Sequence, residues 1–557
     1  MCHFERPGLN KWGTVALISL ILISSTLVFS VNCWSDWEIE TVDSSASVGW
    51  FTSLALDSSG YPHISYEDDS NEELKCAYHD GSSWNYSVVD ADGEGRSSLA
   101  LDSTDNLHLS YQSKSGGNLI YAYNDGSGWS FTTVDSAFQV GNYSSLALES
   151  SGHPYISYFE KKSGGFTGTE DLKYASYDGS SWNTERVASD GYVGLYTSLA
   201  IDSGDNPHIC YMDWTNKDVD YAWKAGGSWS HDVVQSDEDV GYDISLALDS
   251  SDLPHVAYRD GTNKSLKYAY YDGSNKIIKT VDKSENVGRE VSLALDSEGN
   301  PHISYYDAAD DDLKYAYRNG SSWEIAVVDS AGDVGYYTSI ELDPFGNPHI
   351  SYQDRTNENL KYAYFNPLEV TAPDGGESWQ VGTTHEISWA DEDSGDLVKL
   401  KYSTDGGNSW ETISSSTEND GSYNWTVPDE PSASYLVKVT SVEVPAISDR
   451  SEDEFLVHAG PTAAKFRVDE QGNVYADKAF HGQAFKSGNA DLAEKVNVTG
   501  KVEPGDVLSL DPEEPSRYRK STKPYSSLVV GVVSTQPGVT LSEEAQTSSA
   551  TLALMGT

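Results

Sequence analysis

Between about residues 37 and 366 the apolar and polar residues alternate in short runs of period two, each bounded by Gly, Asp, Asn or Pro. Four kinds of run recur in a fixed order. The first contains SLALD, beginning at Ser53 and returning at Ser98, Ser145 (SLALE), Ser198 (SLAID), Ser245, Ser292 and Ser339 (SIELD). The second is PHISY or a relative, the third LKYAY or a relative, and the fourth follows a DGSSW-type turn and ends near VVD. Each run predicts one short strand. The steps between copies are 45, 47, 53, 47, 47 and 47 residues, the mark of one supersecondary unit repeated.

Four-stranded units at this spacing predict an all-β chain whose main body is a seven-bladed β-propeller. A stacked solenoid is the alternative, but its strands would not be joined by Asp-Gly hairpins. The phase of the repeat sharpens the reading. The fourth strand type occurs first, alone, at Trp37 to Asp43, and the last unit stops after its third strand at Asn366. The N-terminal strand is therefore expected to complete blade seven and leave no open edge. The architecture resembles that of other seven-bladed propellers, WD-repeat proteins among them, although the repeat is not of WD type.

Two further segments follow Pro367. Residues 367–458 alternate in strand-length runs separated by Gly, Pro and Asp turns, which predicts a small β-sandwich. The segment resembles an Ig-like module of exported cell-wall proteins, with a GGESWQVG start and a DGSYNWTVP hairpin. Residues 459–557 resemble a small β-rich C-terminal module of secreted bacterial and archaeal proteins, through NADLAEKV, VEPGDV and PYSSLVVGVVSTQPGV. Relatives of that module run on past the equivalent of LALMG, so a shortened module or a fragment is expected.

Residues 1–33 set the compartment. Arg6 and Lys11 precede an apolar stretch from Thr14 to Val31, the layout of a signal peptide or a retained N-terminal membrane anchor. Ser30-Val31-Asn32 before Cys33 matches a lipobox poorly. The rest of the chain is read as extracytoplasmic, at the cell surface or beyond.

Charge narrows the partners. With 36 Lys+Arg against 87 Asp+Glu, the net charge of −51 disfavours nucleic acid and suits glycans, cations or basic proteins. Four Cys exclude a disulfide scaffold, and Cys76 and Cys210, at strand positions, are expected to be buried free thiols. Membrane contact is expected only through the N-terminal segment.

Several repeated residues invite chemistry. Six His (His63, His108, His208, His255, His302, His349) lie too far apart around the ring to share an ion, so each is expected to hydrogen-bond within its own blade. The Asp-Gly pairs at Asp80, Asp125, Asp178 and Asp272 read as hairpin turns needing positive φ, with Trp84, Trp129 and Trp182 packing between blades. The longer connections share one face with the blade-three expansion at about 160–170, and that face carries Glu67-Asp68-Asp69, Asp237-Glu238-Asp239 and Asp310-Asp311-Asp312. These acids read as solvated. Calcium is the one cofactor they admit, and Asp90 to Glu94 comes nearest to a calcium loop without its closing Glu. No metal ligand is assigned.

The channel mouth is the candidate binding site. Two residues before each SLALD serine lie Phe51, Arg96, Tyr143, Tyr196, Asp243, Glu290 and Tyr337, which pseudo-symmetry places in one ring. Aromatic faces with a few polar groups suit a sugar, and they equally suit packing between blades. No catalytic residue is assigned. STDGGNSW (Ser403 to Trp410) matches an Asp-box, but it lies outside the propeller and describes a hairpin. The six propeller arginines (Arg96, Arg186, Arg259, Arg289, Arg318, Arg355) occupy unrelated repeat positions, which argues against a carboxylate clamp. The sequence thus predicts an exported, surface-associated binding or adhesion protein that recognises a glycan or protein ligand on its long-loop face. A secreted glycan-cleaving enzyme using Asp243 and Glu290 is the alternative, and a structural envelope protein the third reading.

Overall fold

The computed structural model describes residues 37–459, apart from 95, 138, 163–169, 237–238 and 392–393, together with the backbone of nine short strands between 467 and 553. The N-terminal apolar stretch lies outside the described residues. No helix among the described residues is long and apolar enough to cross a membrane.

Seven four-stranded antiparallel sheets follow one another from Val48 to Phe365. Blade one is Val48–Leu56, Pro62–Asp68, Glu73–His79 and Trp84–Asp90, and the other blades repeat it. In blade seven, Trp37–Asp43 pairs antiparallel with Asn359–Phe365, so the first strand of the chain is the outer strand of the last blade. The second strands are buried along their whole length in blades four to seven, because neighbouring blades cover both faces. Outer strands alternate instead, leaving Val88, Ile325 and Val327 exposed.

Three repeated contacts sew the blades together. The SLALD serine of each blade accepts a hydrogen bond from the backbone N–H of the residue after the next blade's equivalent serine, at 3.0–3.1 Å in all seven cases. The seventh, Leu54 N–H to Ser339 Oγ at 3.1 Å, joins blade one to blade seven and closes the circle. Trp of one outer strand packs edge-on against Tyr of the preceding blade's third strand, as in Trp84 on Tyr362 and Trp182 on Tyr121, with ring centroids 5.5 and 5.2 Å apart. Asp at the end of an outer strand accepts from Tyr of the next blade, as in Tyr66 to Asp43 at 2.7 Å and Tyr305 to Asp282 at 2.8 Å.

The histidines behave as their repetition implied. His108 Nε2 lies 3.4 Å from Asp102 and its Nδ1 2.8 Å from Tyr121 Oη, all within blade two. In blade one Cys76 replaces that Tyr, and His63 Nδ1 is buried without a partner. Cys76 and Cys210 are buried free thiols, and burial pushes the Cys76 thiol up to about 12.

Two expectations change. The Asp-Gly turns need positive φ at glycine alone (Gly81 at 86°, Gly179 at 87°), while the aspartate caps the loop: Asp80 Oδ1 accepts Ser82 N–H and Ser83 N–H at 2.9 Å. The acids on the long-loop face are not simply solvated. Asp68 is 1% exposed, accepts Asn71 N–H at 3.0 Å and pairs with Lys75 at 3.4 Å. Glu67 pairs with Lys114 at 3.1 Å. Asp237 and Glu238 lie outside the described residues.

Beyond the propeller, Leu368–Ala372, Thr384–Asp391 and Ser422–Thr426 form one sheet, and Leu397–Ser403 pairs with Glu411–Glu418 and Ser432–Ser441 in another. Trp425 packs against Tyr402 at 5.2 Å and holds the two sheets face to face. This sandwich rests on the tight-turn face of blade one, where Tyr61 Oη donates to Pro445 O at 3.3 Å and Ala446 N–H to Ser59 O at 3.1 Å. The Asp-box is a turn element: Asp405 accepts Ser409 N–H at 2.9 Å and Ser403 Oγ–H at 2.8 Å. In the tail, Leu492–Thr499 pairs antiparallel with Ser549–Ala553 and parallel with Tyr518–Lys520.

Candidate functional site

The inner strands share one irregularity. In six blades the register with the second strand skips, between Trp50 and Ser53 in blade one and between Tyr242 and Ser245 in blade five, so that two residues oppose one. The first residue of each bulge is left-handed: Phe51 (φ 53°), Tyr143 (53°), Tyr196 (48°), Asp243 (51°), Glu290 (51°) and Tyr337 (53°). None is glycine, and this conformation costs an L-residue about 1–2 kcal/mol. A glycine two residues earlier makes room for the bulge. At Gly194 a Cβ would stand 2.8 Å from Leu172 Cα of the preceding blade.

The bulge aims its first side chain at the propeller axis. All seven residues singled out from the sequence line one axial cavity of about 210 Å³, entered from the face where the inner strands begin. All seven are half-buried, and Tyr143 and Tyr196 also pack against a buried cluster of blades three to five. Tyr337 and Phe51 lie 4.2 Å apart, Tyr143 and Tyr196 4.9 Å. The Arg96 guanidinium bridges the gap, 4.3 Å from the Phe51 ring and 4.4 Å from that of Tyr143. The result is a continuous arc of four aromatic rings and one guanidinium, closed on the far side by Asp243 and Glu290.

The residue just before each repeated serine forms the floor. Its hydroxyl bonds that of a serine in the preceding blade's second strand: Thr52 with Ser351 (2.7 Å), Ser97 with Ser65 (2.9 Å), Ser144 with Ser110 (3.0 Å), Thr197 with Ser157 (2.8 Å) and Thr338 with Ser304 (2.9 Å). Beneath the two acids the hydroxyl pairs are replaced by Ile244 with Cys210 and Val291 with Ala257, all buried. Asp243 and Glu290 thus stand over an apolar floor. Burial raises the affinity of both carboxyls for protons, and Asp243 raises that of Glu290 further. The backbone N–H of Glu290, across the blade boundary, partly offsets that rise at Asp243.

The arginines correct the sequence reading. Although they hold different repeat positions, Arg96, Arg259, Arg289 and Arg355 all act electrostatically on this acid pair. Arg259 is 9% exposed and donates to Asn286 at 2.9 Å. Its affinity for its proton is lowered by burial first and by Arg289 second. Arg355 lies 4.1 Å over the Tyr336 ring. Cross-strand pairing explains the convergence: Arg259 opposes Tyr242 and Arg289 opposes Tyr306, one layer outside the ring. Arg186 instead pairs with Asp171, away from the cavity. Among the described residues no group of three or more His, Cys, Asp or Glu is arranged to hold a metal ion.

The chain is a seven-bladed β-propeller carrying a polar, aromatic-lined axial cavity. No family model matches it, and no curated protein does. Among solved structures it is similar to a polysaccharide lyase of family PL25, an ulvan lyase (14% identity, TM-score 0.44, covering 58% of this chain and 95% of that one). It is similar also to the polysaccharide lyase Uly1 (8%, 0.39, 56% and 88%) and to YCF48 from Cyanidioschyzon merolae (12%, 0.37, 59% and 98%). At these values no residue role is carried across.

Proposed function

We propose that the chain is an exported, surface-associated glycan-binding protein and that the axial cavity is its sugar site. The observation that carries this reading is the repeated left-handed bulge. Six strained backbones turn aromatic and acidic side chains into a void, where relaxed strands would fill the axis with apolar packing. At about 210 Å³ the cavity is smaller than the ~300 Å³ at which drug-sized pockets begin. It suits one sugar ring, its apolar face on the aromatic arc and its hydroxyls toward Arg96, Asp243 and Glu290. The arginine and acid sectors together favour a neutral, hydroxyl-rich ligand. Export rests on the sequence of residues 1–33, and the sandwich and tail are read as the surface-proximal part of the chain.

A glycan-cleaving enzyme is the second reading, favoured by one observation: Asp243 and Glu290 are adjacent carboxyls, both held toward the protonated form, as a proton donor to a glycosidic oxygen must be. The test is a glycan-array screen of the chain and of the Asp243→Asn/Glu290→Gln variant, with product analysis on every hit. Binding without product from the native chain supports the lectin-like reading. Product that vanishes in the variant supports the enzyme, and an array with no hit overturns both.

A further inference from the structure

We infer that the sugar site continues out of the axial cavity into a second subsite between blades three and four, so that the ligand is a linear glycan held by at least two adjacent residues. The inference rests on the glycan reading above and adds direction and length to it.

Tyr143 and Tyr196 have two sides. One lines the axial cavity, and the other walls a separate groove of about 340 Å³ on the same face. Phe159, Tyr192 and Leu195, all buried, make its floor. Trp214, 39% exposed, stands at its rim, its ring centroid 6.5 Å from that of Tyr192. A buried apolar floor under an exposed indole is the surface a pyranose face requires.

The groove also carries unspent hydrogen-bonding capacity. Asn142 lines it, and its Oδ1 is covered without a hydrogen-bond partner, so a turn of the amide toward the groove would let a ligand hydroxyl donate to it. Gln139 and Lys161 line it too. No carboxylate does, so neutral amides and one lysine are the polar side chains a sugar's hydroxyls would meet beside the tyrosines.

Direction follows from the loss of sevenfold symmetry. In blades three and four the positions one layer outside the ring are Asn142, Phe159, Leu195 and Met212. In blades five to seven the same positions hold Tyr242 with Arg259, Arg289 with Tyr306 and Tyr336 with Gln353, and the Tyr306 and Tyr336 rings lie 4.2 Å apart. A chain leaving the axial cavity beside Tyr143 and Tyr196 therefore enters this groove, whereas beside Asp243 and Glu290 it meets a layer of arginine and tyrosine side chains.

The experiment uses the full chain on an array of oligosaccharides from one to six residues, followed by titration of each hit and its shorter homologues. Native protein should gain at least tenfold in affinity when the best monosaccharide is lengthened. Trp214→Ala and Asn142→Ala should each lose most of that gain. Tyr337→Ala should weaken every chain length alike. Melting is recorded for each variant, and Asn142→Ala decides the matter should Trp214→Ala prove unfolded. A native gain that both variants retain, or the absence of any gain with length, overturns the subsite and leaves the axial site standing. No hit of any length overturns the glycan reading and the subsite with it.

Discussion

At Tyr196 backbone strain and ligand chemistry meet in one residue. Its φ of 48° is costly for tyrosine and free for glycine, while its ring also packs on the blade-four core. Tyr196→Gly should therefore regain about 1–2 kcal/mol of backbone strain against the packing it loses. Tyr196→Ala should cost more stability than the glycine variant, an order opposite to that at an ordinary strand position. Thermal melts of the two variants check this, and both should weaken glycan binding. The ring's membership was legible from register alone, since a fixed offset from a repeated serine survives any twist of the sheet. The left-handed backbone was also signalled, by the Val-Gly step two residues before each of these six positions.

A second residue makes a pH prediction. Where blades one, three, six and seven place a lysine (Lys75, Lys173, Lys314, Lys361) facing the preceding outer strand's aspartate, blade four has Asp220, and Ala188 replaces its aspartate. Burial first, then Asp213 and Asp218, raise the Asp220 carboxyl from 3.8 to about 7. Between those values the folded chain holds a proton that the unfolded chain has released, so stability falls as pH rises through the window. Asp243 and Glu290 act with the same sign. Asp43, Asp282 and Asp329 are lowered against the opposing pull of burial, by hydrogen bonds from Lys75, Ser284 and Tyr352 respectively, and stabilise the fold until pH drops below the carboxylate range. Melting temperature should peak near about pH 4–6 and decline toward pH 8. Asp220→Asn should raise it at pH 8 and flatten the decline; an unchanged slope would remove Asp220 from the account.

At the scale of the element, the repeated serine earns its repetition by a bond to the next blade rather than within its own. Ser245→Ala leaves the Leu293 N–H without its acceptor, for about 1–3 kcal/mol. Urea melts should show that loss with an unchanged m-value, because only one contact is removed. This role could not be read from one strand, since the partner lies 48 residues away. The floor was more accessible: Ile244 and Val291 abandon the hydroxyl at the same two junctions where Cys210 and Ala257 abandon the serine. Paired losses of two polar partners mark a contact, and these two lie directly beside Asp243 and Glu290. The arginine cluster was hidden for the converse reason. Its members sit on different strands and at different offsets, and the cross-strand register brings Arg259 and Arg289 to one layer beside the ring that holds Arg96.

At the scale of the whole molecule, phase alone foretold the closure of blade seven by Trp37–Asp43. That strand also supplies Asp43 to Tyr66 and Lys75 of blade one, both at 2.7 Å, so it holds two blades at once. Deleting residues 34–44 should lower the melting temperature sharply and provoke aggregation through the bared edge of Asn359–Phe365. The sandwich, fixed to the tight-turn face, leaves the cavity mouth on the opposite face of the ring. Ligand is therefore expected at the axial cavity and the groove beside it, and a crystal structure of the chain with its best array hit tests this most directly. We predict a sugar ring within about 4 Å of Tyr143, Tyr196 and Tyr337, with hydroxyls toward Arg96, Asp243 or Glu290. A glycan seated on the outer strands or on the sandwich, with the axial cavity empty, would contradict it.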